Sequence, residues 1–76
     1  MSATEFGPEP RLVSTQAQVD AWGSVEDAAY DNMMAWERML AKRPGSHVAQ
    51  REVRKARTDY FDAAERRMAA ERNLPR

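Results

Sequence analysis

The side chains with the most obvious capacity for chemistry form a basic cluster in the middle of the chain. Six basic residues flank the pair Pro44-Gly45, and they are Lys42, Arg43, His47, Arg51, Arg54 and Lys55. Where a helix begins, its free backbone N–H groups and the positive end of its dipole favour anions. We therefore predict a phosphate or nucleic-acid site here, called the basic tip, as one of two candidate functions. The other interpretation is a solvated helix end, because Glu52 and Asp59 lie among these residues and no aromatic platform accompanies them.

Acidic side chains are the second candidate for chemistry. Asp27 and Asp31 are one helical turn apart, with Glu26 beside them. Metal sites in helical bundles combine such carboxylates with histidine, but His47 is the only histidine and lies far along the chain. The chain has no cysteine, and it contains neither a glycine-rich phosphate loop nor a histidine with a positioned acid. We predict no metal, no cofactor and no catalytic residue, and therefore a protein that is not an enzyme.

Two repeating patterns predict the elements that must position these residues. Apolar side chains recur at steps of three and four residues, which is typical of amphipathic helices. The first series is Val19, Trp22, Val25, Ala29, Met33, Trp36 and Leu40. The second series, which includes one arginine, is Ala49, Val53, Ala56, Tyr60, Ala63, Arg67, Ala70 and Leu74. Together they predict helices over about residues 15–43 and 46–73.

Polar residues mark the ends of both predicted helices. Thr15 with Gln18 three residues later fits a capping box, and Ser46 after the Pro-Gly pair fits the start of the second helix. Asn73 is predicted to end that helix in the left-handed conformation. Gly23, inside the first helix, predicts either a bend or the close approach of a neighbour.

The connection between the helices is so short that they must be antiparallel neighbours. In such a hairpin residue i lies opposite roughly residue 89 − i, so that Met33 meets Ala56 and Val25 meets Ala64. Bulky side chains then oppose small ones almost throughout, as in a close-packed helix pair.

Three charged residues interrupt the apolar patterns. Arg67 lies opposite Trp22, and we expect it either to stack on the indole ring or to form a salt bridge with Glu26. Glu26 and Glu37 are eleven residues apart and therefore share one face of the first helix. They are expected either to reach water or an arginine at the edge of the hairpin, or to pair across an interface and fix its register.

More apolar surface is present than one hairpin can bury. The first helix is apolar over about two-thirds of its circumference, which is typical of a helix buried on two sides. Methionine and aromatic residues are enriched in interface cores. The predicted interface consists of Trp22, Tyr30, Met33, Met34, Trp36, Met39, Phe61 and Met68.

The predicted fold is all-α: an antiparallel two-helix hairpin that completes a bundle with another subunit. The predicted function is that of a non-enzymatic protein–protein interaction module, such as an assembly component, an adaptor or a small accessory subunit. Its partner is either itself, as a homodimer or higher oligomer, or a larger protein complex.

Length and charge set the domain organisation. The 76 residues allow one small domain, predicted over 14–76. Residues 1–13 are predicted to form an extended or disordered arm, whose Phe6 either stays free or docks on a neighbouring subunit.

Residues 1–43 carry seven acids and four bases, whereas residues 44–76 carry five acids and eight bases. The two helices are therefore expected to attract each other, and a basic surface for nucleic acid is the alternative.

Composition also bears on localisation. The chain has no run of about 18 apolar residues and no signal pattern at its N-terminus, which predicts a soluble, cytoplasmic protein without membrane contact. Ten arginines against two lysines, together with thirteen alanines, indicate GC-rich codons. We expect a high-GC bacterium or one of its phages as the source, so a location within a phage particle is the alternative.

Overall fold

A computed structural model of the chain describes residues 13–75, which form two α-helices joined by a four-residue loop. Helix α1 spans Gln16–Lys42 and helix α2 spans His47–Arg72. The predicted all-α hairpin is confirmed, and the predicted helix bounds agree to within a residue. The predicted arm with Phe6 lies outside the described residues, apart from Val13. Neither helix is both long and apolar enough to cross a membrane.

The helix ends depend on side-chain and backbone hydrogen bonds. The Thr15 N–H donates to Gln18 Oε1 at 2.9 Å, and the Gln18 N–H donates to Thr15 Oγ1 at 3.1 Å, which completes the predicted capping box. Ser46 Oγ accepts from the Ala49 N–H at 3.1 Å at the start of α2. At the end of α2, Asn73 has a φ of −97°, so the predicted left-handed conformation is wrong. Its N–H instead donates to carbonyl oxygens of the preceding turn, Ala69 and Ala70 among them, and its φ stays negative.

The core of the hairpin is a line of small residues on α2 that packs against α1. The buried residues of the described part are Val19 and Met33 on α1, and Ala49, Val53, Ala56, Ala63 and Ala70 on α2. Alanine allows two helix axes to approach toward the short end of the usual 8–10 Å range. Met33 is only 9% exposed because the alanine-rich surface of α2 leaves room for its side chain. The core therefore places larger side chains against small ones, as the sequence predicts.

Val25 lies outside this core, so its predicted place in the seam between the helices is wrong. Its side chain is 48% exposed. At 100° per residue, Val25 lies about 80° around α1 from Met33. A second helix covers only a limited arc of its neighbour, and the Val25 side chain falls beyond that arc.

Two ion pairs join α1 to α2. The Glu26 carboxylate accepts a hydrogen bond from Arg67 Nε, and Glu37 Oε2 lies 3.0 Å from Arg57 Nε. Of the two expectations for Arg67, the salt bridge with Glu26 is therefore confirmed. Both glutamates reach an arginine at the edge of the hairpin, which was the first of the two roles predicted for them.

Gly23 does not admit a close neighbour, so that prediction for it is wrong. The helix continues through it without a break. A Cβ atom built on Gly23 would lie 3.9 Å from Arg67 Cδ, which is an ordinary van der Waals contact. Glycine is therefore not required at this position by the packing of the hairpin.

Candidate protein-interaction surface

Three aromatic rings form a continuous cluster on one side of the hairpin. The rings of Tyr30 and Tyr60 have centroids 5.5 Å apart at an interplanar angle of 59°. The rings of Tyr60 and Phe61 also have centroids 5.5 Å apart, at 54°. These tilted arrangements are among those that aromatic pairs prefer. Tyr60 therefore links a ring on α1 to the most exposed ring on α2.

By helical spacing, two methionines lie on the same side of the hairpin as these rings. Met34 follows Tyr30 by one turn on α1, and Met68 follows Phe61 by two turns on α2. We call the surface made of these five side chains the aromatic face: Tyr30, Met34, Tyr60, Phe61 and Met68. Phe61 is 62% exposed, and Tyr30 and Met68 are also exposed. A cluster of large apolar side chains left in solvent is typical of a protein-binding surface.

The eight residues of the predicted interface do not form one surface. Met33 is buried between the helices, so it serves the core of the hairpin. Tyr30, Met34, Phe61 and Met68 belong to the aromatic face, while Met39 is exposed on the outer side of α1. Trp22 and Trp36 are half-buried. The helical pattern alone did not separate these groups, because it specifies angles around one helix and not which angles the second helix covers.

The opposite side of the hairpin carries a mixed polar and apolar contact. The guanidinium carbon of Arg66 lies 5.1 Å from the centroid of the Trp22 ring, and Arg66 Nε lies 3.1 Å from Asp62 Oδ2. Phe61 and Arg66 are five residues apart, which is about 140° around α2. The predicted cation–π partner of Trp22 was Arg67, so the ring is covered by the neighbouring arginine instead. Arg67 is bonded to Glu26.

Arg67 is a structural residue of the hairpin. Its Nη1 lies 2.6 Å from Glu71 Oε1, in addition to the bond from Nε to Glu26. Hydrogen bonding to Glu26 raises the pKa of Arg67 above its ordinary value, so the guanidinium stays charged. The one arginine in the second apolar series, Arg67, therefore pairs with two carboxylates, those of Glu26 and Glu71.

The basic tip comprises residues at the end of α1, in the loop and in the first turns of α2. Lys42 ends α1, Arg43 follows it in the loop, and His47 begins α2. Arg51, Arg54 and Lys55 lie about one to two turns further along α2, and all six residues are exposed. Two of them face carboxylates: Arg51 Nε lies 3.8 Å from Glu52 Oε2, and Lys55 Nζ lies 3.6 Å from Asp59 Oδ2. The tip is therefore a cationic surface in which neighbouring carboxylates partly offset two of the six basic side chains.

No group of three or more metal-ligating side chains occurs between residues 13 and 75. Asp27 and Asp31 are both exposed on α1, on the side away from α2.

Sequence reasoning placed Tyr60 in the seam and did not include it in the interface. The structure makes it the centre of the aromatic face, because it contacts both Tyr30 and Phe61. The signal was present in the sequence: Tyr60 precedes Phe61 directly, and the predicted hairpin register places it within one residue of Tyr30.

Comparison of the chain with protein-family models, with curated proteins and with solved structures gives no match.

Proposed function

We propose that this chain is a non-enzymatic interaction protein that binds a protein partner through the aromatic face. The observation that carries the proposal is the exposure of Phe61, at 62%, at the end of a chain of three contacting rings. The partner's surface would cover these rings, and the chain would act as an assembly component, an adaptor or a small accessory subunit.

The energetics of the aromatic face support binding. Burial of apolar surface stabilises a complex by about 25 cal/mol per Å², and full burial of a phenylalanine side chain is worth about 1.5–3 kcal/mol. Aromatic anchors lose few rotatable bonds on binding, which keeps their entropic cost low. Tyr30 and Tyr60 already contact each other in the free hairpin. Their side chains therefore lose less conformational entropy when a partner binds.

The rim of the aromatic face is polar, as protein-binding surfaces commonly are. The Arg57–Glu37 ion pair lies beside Tyr60 on the same side of the hairpin. Both side chains are partly exposed, and they can exchange hydrogen bonds with a partner at the edge of the apolar cluster.

Site-specific photo-crosslinking tests this proposal. A photo-crosslinking phenylalanine analogue placed at Phe61 should give a discrete crosslinked species in the cells that produce the protein. The matched control places the same analogue at Val48, which is also an exposed apolar residue of α2 but lies about 140° away around the helix. Crosslinking at neither position, or equally at both, would show that the aromatic face is not a specific binding surface.

A second candidate function is binding of a phosphate or nucleic-acid backbone at the basic tip. It is supported by six exposed basic side chains in the loop and the helix turns that flank it. Replacement of Arg51, Arg54 and Lys55 by glutamine should then remove binding to a labelled single-stranded oligonucleotide, and the affinity of the unchanged protein should fall steeply with salt. Binding that is insensitive to these three replacements would exclude the tip as the site.

A further inference from the structure

The outer side of α1 carries a second helix-packing pattern that the hairpin does not use. Six residues follow each other at alternating steps of four and three: Ala21, Val25, Ala28, Asn32, Ala35 and Met39. We call them the outer seam. All six are exposed, and Val25 and Met39 are 48% and 44% exposed. Alternating steps of four and three residues are those of the two core positions of a coiled-coil heptad, and none of the six is charged.

The outer seam is complementary to its own reversed copy. When a second α1 runs antiparallel with the two-fold axis near residue 30, Ala21 lies opposite Met39. In the same register Val25 lies opposite Ala35, and Ala28 lies opposite Asn32. Every layer then joins an alanine to a larger side chain, which allows close packing without voids. A two-fold interface requires this kind of self-complementarity, because each contact occurs twice.

Charges beside the outer seam favour the same antiparallel arrangement. The polar side of α1 is acidic at Asp20, Asp27 and Asp31, and basic toward its C-terminal end, at Arg38 and Lys42. These five side chains make no ion pair with any residue between 13 and 75. An antiparallel copy would place Asp20 within two residues of the levels of Arg38 and Lys42 of the other copy, while Asp27 and Asp31 of the two copies meet near the axis. A parallel copy would set like charges against each other.

We infer that two copies of this chain pair through the outer seams of their α1 helices, antiparallel, with Ala28 of one copy opposite Asn32 of the other. The inference rests on the proposed function in treating the chain as an interaction protein, but it uses a surface that lies on the other side of α1 from Tyr30. Pairing leaves the aromatic face open for a further partner.

The tryptophans of α1 are placed to contribute to this dimer. At 100° per residue, Trp22, Ala29 and Trp36 lie between the seam with α2 and the outer seam. A second copy on the outer seam would therefore enclose the half-buried rings of Trp22 and Trp36 between three helices. The assembly would be a four-helix bundle of two hairpins.

Disulfide trapping tests the orientation directly, because the chain has no cysteine of its own. Ala21→Cys and Met39→Cys are made as separate variants of the full chain and then mixed under mild oxidation. The antiparallel register predicts a covalent dimer in the mixture and none in either variant alone, since identical positions would be roughly 27 Å apart. A mixture of Ala21→Cys with Val25→Cys is the matched control and should stay uncrosslinked. Covalent dimers from the single variants, or none in the first mixture, would overturn the inference.

Solution mass provides the second test. Light scattering should give twice the 8.7 kDa of one chain, and Ala28→Glu should reduce the mass by half because it places two carboxylates in the centre of the seam. Ala28 is exposed in the hairpin, so circular dichroism should show unchanged helix content. Ala41→Glu, at another exposed alanine about 140° from Ala28 around α1, should leave the mass unchanged. An unchanged protein that is monomeric at submillimolar concentration would overturn the pairing.

The two proposals fail separately. Loss of the dimer in Ala28→Glu with crosslinking at position 61 retained would assign self-association to the outer seam and the partner to the aromatic face. A covalent dimer in the cysteine mixture without any crosslinking at position 61 would support the pairing and exclude the aromatic face as a binding surface.

Discussion

Replacement of Gly23 by alanine should stabilise the protein. Glycine inside a helix costs about 1 kcal/mol relative to alanine, because the unfolded chain loses more conformational freedom. The added methyl group would meet its nearest neighbour, Arg67 Cδ, at 3.9 Å, so it causes no clash. The backbone of Gly23 does not lie in the left-handed region that only glycine adopts readily. The full gain of about 1 kcal/mol should therefore appear, which corresponds to a rise in Tm of roughly 4–8 °C for a domain of this size.

Thermal unfolding followed by circular dichroism at a fixed protein concentration measures this gain. Concentration must be held constant because self-association also raises Tm. Ser24→Ala is the matched control: it lies next in the same helix, is exposed, and should gain roughly half as much from helix propensity alone. A lower Tm for Gly23→Ala would refute the reasoning, since it would mean that α1 needs the freedom of glycine at this point.

Three further changes test the packing, the cap and the ion pairs of the hairpin. Ala56→Leu should destabilise the fold by about 1–3 kcal/mol, because Ala56 is 1% exposed and a larger side chain would push the helices apart; a lower denaturant midpoint measures the loss. Thr15→Ala should cost about 1 kcal/mol by removing the capping box, and amide hydrogen exchange should show faster opening of the first turn of α1. Glu26→Ala should lower Tm more than Glu37→Ala, because the Glu26–Arg67 pair is the less exposed of the two, and equal losses would contradict that ranking.

Local sequence signals were sufficient for the elements of the fold. The Thr15–Gln18 spacing, the Ser46 cap and the Pro-Gly pair each act within a few residues, so their effects are independent of the rest of the chain. The apolar repeat then required two helices, and the four-residue loop required them to be antiparallel. For these reasons the hairpin and its bounds were predictable from the sequence.

The roles of individual apolar residues depended on the tertiary structure. Val25 and Met33 belong to the same predicted series, yet Val25 is exposed and Met33 is buried. They are about 80° apart around α1, and the position of α2 determines which of the two side chains is covered. The same holds for Arg66 and Arg67, which are adjacent in sequence but contact Trp22 and Glu26, respectively.

The sequence by itself determined the helices, their order and the excess of apolar surface, because these depend on residue type and spacing along one chain. Only the tertiary structure decided how that excess is divided. Docking of α2 buries Met33, joins Tyr60 to Tyr30 and Phe61 in the aromatic face, and leaves the outer seam of α1 exposed. Periodicity gives an angle around a helix, whereas exposure also depends on the width and position of the neighbouring helix, and no local signal encodes that.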